Sequence, residues 1–237
     1  MLVLAMILGS FSMVFALEFP DVDPDAKYHD AVAVLSDLDV VSGYTDGNYK
    51  PDNVVTRAEM ASLIIKALGI APAASATTRF PDVPSTHWAS GYIAYASSLG
   101  ILKGYTDGTF KPEKPVSYDE AITMLIQALG YTIDSLTGTY PAAFVSKAKA
   151  LGILENITAL GTVGANRGDI AIMLYNTLGQ KIGHVNDENH WEASDPLDVM
   201  LFRLGAFPID PIVITYEEAE EALIDITELV GACVTPY

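Results

Sequence analysis

The chain has 237 residues, half of them hydrophobic, and sets 30 acidic against 13 basic side chains for a formal net charge of −17. So much apolar material excludes a disordered chain outside short linkers. So acidic a balance excludes nucleic acid as a partner, because phosphate neutralisation needs clustered Lys and Arg, and it obliges any anionic ligand to be held by a few local cations against an unfavourable general field.

Leu2 to Val14 is almost entirely apolar and ends Val14-Phe15-Ala16, with modest or small residues where a leader peptidase cuts. Residues 1–16 are therefore expected to be a secretory signal peptide. At about 15 residues the stretch is short for a transmembrane helix, and no membrane partner is expected once it is removed.

Residues 19–70 form a first repeat unit. It opens Phe19-Pro20-Asp21-Val22, continues through a helix bearing Ala31, Val34, Leu35 and Leu38, and turns at Gly43-Tyr44-Thr45-Asp46-Gly47 before Lys50-Pro51. The turn segment is expected to end the first helix, because glycine enters left-handed conformations cheaply and Asp accepts local backbone hydrogen bonds. A second helix follows, with Met60, Leu63, Ile64, Ala67 and Leu68 on one amphipathic stripe. Thr56-Arg57-Ala58-Glu59 reads as its capping box. Residues 71–79, opening Ala71-Pro72-Ala73-Ala74-Ser75, read as a surface linker.

Residues 80–131 repeat the first unit 61 positions later without a gap: Phe80-Pro81-Asp82-Val83, Gly104-Tyr105-Thr106-Asp107-Gly108 and Lys111-Pro112. Tyr92, Tyr95, Ala96 and Leu99 mark the first helix, and Ala121, Met124, Leu125, Ala128 and Leu129 mark the second. Ser117-Tyr118-Asp119-Glu120 supplies the second capping box. Residues 140–183 form a degenerate third unit, with Phe144, Ala148 and Leu151 on one helix and Ile170, Met173, Leu174, Thr177 and Leu178 on the other. Its cap, Asn166-Arg167-Gly168-Asp169, is weaker, and Asn156 to Leu160 replaces the glycine turn. The Arg-Gly-Asp tripeptide within it is read as chance at a helix start.

Residues 184–237 lack the repeat pattern. Leu197, Met200, Leu201 and Leu204 predict one helix, Tyr216 to Ala222 a short one, and Ile224 to Val234 a strand or buried edge. This extension is expected to open a downstream region. The lone cysteine, Cys233, can make no intramolecular disulfide.

A fixed-offset repeat means one supersecondary unit used several times, each too small to bury its own apolar face, so function is sought between copies. Cationic candidates are Arg57, at a helix start beside N–H groups expected to be free, and Lys50, Arg79, Lys103, Lys111 and Arg167 at turns or helix starts. Catalysis finds little support. His29, His87, His184 and His190 have no metal-ligand spacing, and no nucleophile elbow or His-Glu-x-x-His pair is present. The Asp-Gly turns fail the calcium-loop pattern at Ser42, Tyr44 and Asn53. No cofactor is expected.

Phe-Pro-Asp-Val opening a unit, His87-Trp88-Ala89 after it, Gly104 to Pro112 and Val55-Thr56-Arg57-Ala58-Glu59 together resemble the S-layer homology domain over about residues 19–131. The resemblance implies a mainly α fold of three helix-turn-helix repeats in a pseudo-threefold, three-pronged assembly. It also implies a non-enzymatic role, anchoring a secreted protein to the wall or S-layer of a Gram-positive-type bacterium. The partner would be secondary cell-wall polysaccharide, often pyruvylated, linked to peptidoglycan and bound in grooves between repeats. On this sequence the implied site residues are Arg57, Trp88, Arg167, Gly43, Asp46, Gly104, Asp107 and Lys111. Tyr118 stands where unit two should have arginine, and Lys27-Tyr28 where unit one should have tryptophan, so at most two competent grooves are expected. The alternatives are an assembly module with a decayed sugar site and the anchoring part of a wall enzyme.

Overall fold

A computed structural model describes residues 19–194 and 200–204. The expected signal peptide, most of the C-terminal extension and Cys233 lie outside the described residues.

Six helices alternate between nine and eleven residues: α1 (His29–Asp37), α2 (Arg57–Ala67), α3 (Ser90–Ser98), α4 (Tyr118–Ala128), α5 (Ala142–Ala150) and α6 (Arg167–Thr177). A small antiparallel hairpin follows, β1 (Gly183–Val185) with β2 (Trp191–Ala193), and then a short turn of helix, α7 (Met200–Arg203). The mainly helical, three-unit expectation is borne out. None of the helices among the described residues is long and apolar enough to cross a membrane.

The three units are joined by backbone. Each longer helix is preceded by an extended segment, and these segments meet in three isolated bridges, Val54 with Asn166, Thr56 with Pro115 and Ser117 with Gly164. The hydrogen bonds run in a closed cycle: Val55 N–H donates to the Ala165 carbonyl, Ala165 to Val116 and Val116 to Val55, each at 2.9 Å. All three residues are fully buried. A second cycle surrounds it. The first two N–H groups of α2 donate to the Lys114 and Pro112 carbonyls, those of α4 to Val163 and Gly161, and those of α6 to Asn53 and Pro51.

This closure places α2, α4 and α6 together at the centre. The predicted stripes are buried, and on α2 the buried face extends beyond its stripe, because Ala58, Ala61 and Ile65 are as buried as Met60 and Ile64. So wide a buried face belongs in a core. The shorter helices pack across unit boundaries, α1 on α6, α3 on α2 and α5 on α4. That choice rotates α3 from its expected face: Ala89, Ile93 and Ala96 are buried, whereas Tyr95 and Leu99 are exposed. The segment 71–79 is less free than a linker, since the Ala73 carbonyl lies where a Cβ on Gly91 would be and Ala76 N–H donates to Ser90 Oγ.

The repeated motifs are turn hardware. Asp21 accepts from the N–H groups of Tyr49 and Lys50, and Asp82 from those of Phe110 and Lys111, so each Phe-Pro-Asp-Val holds the far end of its glycine turn. Those turns do not end the first helices, which stop earlier, with Asp39 and Gly100 in left-handed conformation. Gly47 and Gly108 are the turn glycines with positive φ, at 83° and 79°. Gly43 and Gly104 are required for a different reason, close approach of the Phe19 and Phe80 rings.

Gly104→Ala would set its Cβ 2.5 Å from the Phe80 ring and 2.9 Å from the Thr109 carbonyl. We expect a loss of about 1–3 kcal/mol in urea unfolding. Gly179→Ala, which meets nothing within 4 Å, should stay within about 0.5 kcal/mol of the parent chain. Equal effects at the two positions would refute the close-approach reading.

Candidate functional site

Arg57 begins α2 under a complete capping box, with Thr56 Oγ1 accepting from Glu59 N–H and the Glu59 carboxylate accepting from Thr56 N–H. Together with the inter-unit cycle, this leaves no free N–H on the first turn. The expectation of an anion site at the helix N-terminus is therefore corrected, since backbone carbonyls of the next unit occupy those donors. Any anion held here would have to be met by side chains.

The Arg57 side chain leaves its own unit and enters the second. Its Nε donates to the Phe110 carbonyl at 2.9 Å and Nη2 to the Lys103 carbonyl at 3.0 Å, while Nη1 lies 3.5 Å from Glu120. The guanidinium sits 4.7 Å from the Tyr105 ring centre and 4.6 Å from that of Phe110. Only 3% of the residue is exposed, so Arg57 is a clasp between units that presents an edge to the cavity beyond it. That cavity, about 590 Å³, is walled by Arg57, Lys103, Tyr105, Glu120 and Tyr140 above an apolar floor that includes Met124 and Phe144. Tyr140 is 55% exposed.

Arg167 repeats the arrangement across the third and first units. Its Nε donates to the Tyr49 carbonyl at 3.0 Å and Nη2 to the Ser42 carbonyl at 3.1 Å, with the Tyr44 and Tyr49 rings 4.8 and 4.6 Å away. The cavity beside it, about 320 Å³, is lined by Arg167, Tyr44, Glu59, Lys66, Trp88 and Tyr92 among others. Trp88 is 54% exposed, an open wall rather than a core residue. Each groove thus draws an arginine from one unit, a Tyr and a Glu from the next, and an aromatic from the third.

At the third equivalent position the side chains pair with one another. Tyr118, in the arginine's place, is 2% exposed and donates to Asp169 at 2.6 Å. Lys27, in the tryptophan's place, reaches Asp169 at 2.7 Å and donates to the Asn156 carbonyl. The two departures noted in the sequence meet in one location and close it. Burial first, and then the Asp169 hydrogen bond and charge, push the Tyr118 hydroxyl well above the usual range. The Arg-Gly-Asp tripeptide is inaccessible, since Arg167 and Asp169 are buried and Gly168 lies under the Tyr28 ring.

The remaining candidates build turns. Asp46 pairs with Lys50 at 2.7 Å and Asp107 with Lys111 at 2.9 Å, and each Asp also accepts from the backbone two residues on. The Thr109 hydroxyl and Lys111 hold the exposed Asp107 carboxyl well below its ordinary range. Lys111 also lies 4.5 Å from the Tyr105 ring centre. Gly43 seats Phe19, and Gly104 seats Phe80. Sequence reasoning missed Tyr140, Tyr105, Tyr44, Glu120 and Glu59. Tyr140 could have been found by aligning helix starts, because it precedes Ala142 by two positions as Trp88 precedes Ser90. Among the described residues no group of three His, Cys, Asp or Glu could hold a metal ion.

Burial pushes the Glu120 carboxyl up, but the Ser117 N–H, the Tyr105 hydroxyl, Arg57 and Lys114 outweigh it and hold it below the ordinary range.

The family model for the S-layer homology domain matches residues 18–61 and 79–122, the first two units. A "Middle cell wall protein" of Brevibacillus brevis is 41% identical over 157 residues, 65% of this chain and 15% of that protein. A "Surface layer protein" of Brevibacillus choshinensis is 40% identical over 150 residues, 61% of this chain and 13% of that protein. A "Cellulosome-anchoring protein" of Acetivibrio thermocellus is 35% identical over 92 residues, 38% of this chain and 21% of that protein. The chain spans a quarter or less of each of these relatives.

Glu120 with a depressed folded pKa contributes stability above its unfolded value of about 4.3, and that contribution is lost as pH falls through the folded value. Tyr105→Phe removes the 2.7 Å hydroxyl donor, so the Glu120 carboxyl carbon should titrate at higher pH by NMR. An unchanged midpoint would show that the hydroxyl does not hold the carboxylate.

Proposed function

We propose that this S-layer homology domain protein is a non-enzymatic anchor, held at the bacterial cell surface by binding an acidic wall polysaccharide in two inter-unit grooves. Its surface-layer and cell-wall relatives support a surface location. The ligand we favour is secondary cell-wall polysaccharide of a Gram-positive-type wall, pyruvylated and linked to peptidoglycan.

The observation that carries this reading is the double construction of one site. Arg57, Tyr105, Glu120 and Tyr140 converge on one cavity, and Arg167, Tyr44, Glu59 and Trp88 on its counterpart. A ketal carboxylate is matched by a guanidinium edge and nearby Lys103 or Lys66. A carboxylate such as Glu120 or Glu59 suits sugar hydroxyls as an acceptor. A half-exposed Tyr140 or Trp88 offers a flat apolar face to the ring. In a chain of net charge −17, such local cations are what an anionic sugar requires.

The test is sedimentation of the chain with peptidoglycan sacculi before and after hydrofluoric acid strips the attached polysaccharide. Arg57 ties two units together, so Arg57→Ala is paired with the exposed Tyr140→Ala and Trp88→Ala. We expect binding that disappears with the polysaccharide and falls about tenfold or more when both aromatics are removed. Binding that survives stripping would point to peptidoglycan itself, and no binding to sacculi of several wall types would favour a structural assembly role.

A further inference from the structure

This inference rests on the groove reading above and concerns how much polymer each groove takes. We propose that the Arg57 groove continues past Tyr105 into a second subsite, headed by Arg79, that takes a further anionic sugar of the same polysaccharide chain. The Arg167 groove takes one.

A cavity of about 460 Å³, walled by Arg79, Phe80, Lys103, Gly104, Tyr105 and Gly108, adjoins the Arg57 cavity and shares Lys103 and Tyr105 with it. Most lysines beside the repeat turns are already committed: Lys50 to Asp46, Lys111 to Asp107, Lys114 to Glu120 and Lys27 to Asp169. Arg79 and Lys103 are exposed and meet no carboxylate among the described residues. The Arg79 guanidinium lies 5.1 Å from the Phe80 ring centre, which holds it at the cavity wall. Two unpaired cations on one concave surface make a local positive field in an otherwise acidic protein, and an anion is what such a field attracts.

The first unit lacks these charges. Counting back 61 positions, Arg79 corresponds to Glu18, Lys103 to Ser42 and Lys114 to Asn53. The Arg167 cavity is also the smaller, at about 320 against 590 Å³. A polymer with an anionic group on successive repeats can satisfy both cationic stations in the second unit at once, and the second contact is made at high effective concentration because the sugars are linked.

The experiment uses size-fractionated fragments of pyruvylated wall polysaccharide, bearing either one acidic group or three, titrated calorimetrically into the full chain. Trp88→Ala is present throughout to disable the other groove's aromatic wall. We expect the longer fragment to bind about tenfold more tightly in moderate salt. Arg79→Ser should abolish that preference while leaving the one-acid fragment unchanged, and Arg79→Lys should restore part of it. A preference that survives Arg79→Ser, or no preference in the parent, overturns the second subsite alone. Failure of both fragments to bind any chain overturns the groove reading itself.

Discussion

The structure depends on the hydrogen-bond cycle among Val55, Ala165 and Val116. Buried backbone N–H and C=O groups must be paired, and Val55, Val116 and Ala165 each find their backbone partners in the other two units. No unit can therefore satisfy its own centre. The two cycles tie residues 51–58, 112–119 and 161–168 into one ring, and the long helices leave it as a shared core. The same ring consumes the helix N-terminal donors and leaves charge recognition to side chains that cross unit boundaries.

Crossing is what makes the grooves. Arg57 and Arg167 are each held by two carbonyls and two aromatic rings of the neighbouring unit. Such anchoring fixes the guanidinium in advance, which would lower the ordering cost of binding the proposed ligand. Where arginine is replaced by Tyr118, the same geometry turns inward. Its hydroxyl meets Asp169, Lys27 neutralises that carboxylate, and a potential groove becomes a seam that joins all three units. Two groove-forming stations and one sealed station account for the sequence departures without loss of the threefold frame.

Much of the frame was legible in the sequence, because it is local. The capping boxes at Thr56 and Ser117 and the weaker cap at Asn166 are read from four consecutive residues. The repeat offset alone announces equivalent turns. Faces and partners were not legible, because they are decided by residues far apart in the chain. Nothing near Leu99 says that α3 packs on α2 and leaves Leu99 half exposed. Nothing near Gly43 says that a phenylalanine ring from the start of the unit needs its missing Cβ. The site divides in the same way. Arg57, Arg167 and Trp88 could be carried over from motif resemblance, whereas Tyr140, Tyr105 and Glu120 entered only when three units were brought to one cavity.

In the proposed function sites lie between units, and the third position is closed by Tyr118, Asp169 and Lys27. The most direct test is the calorimetric stoichiometry of a one-acid wall-polysaccharide fragment on the full chain. With the Arg79 station removed by Arg79→Ser, two fragments should bind per chain, falling to one with either Trp88→Ala or Tyr140→Ala and to none with both. Three fragments per chain in that background, or a stoichiometry that neither substitution changes, would contradict this.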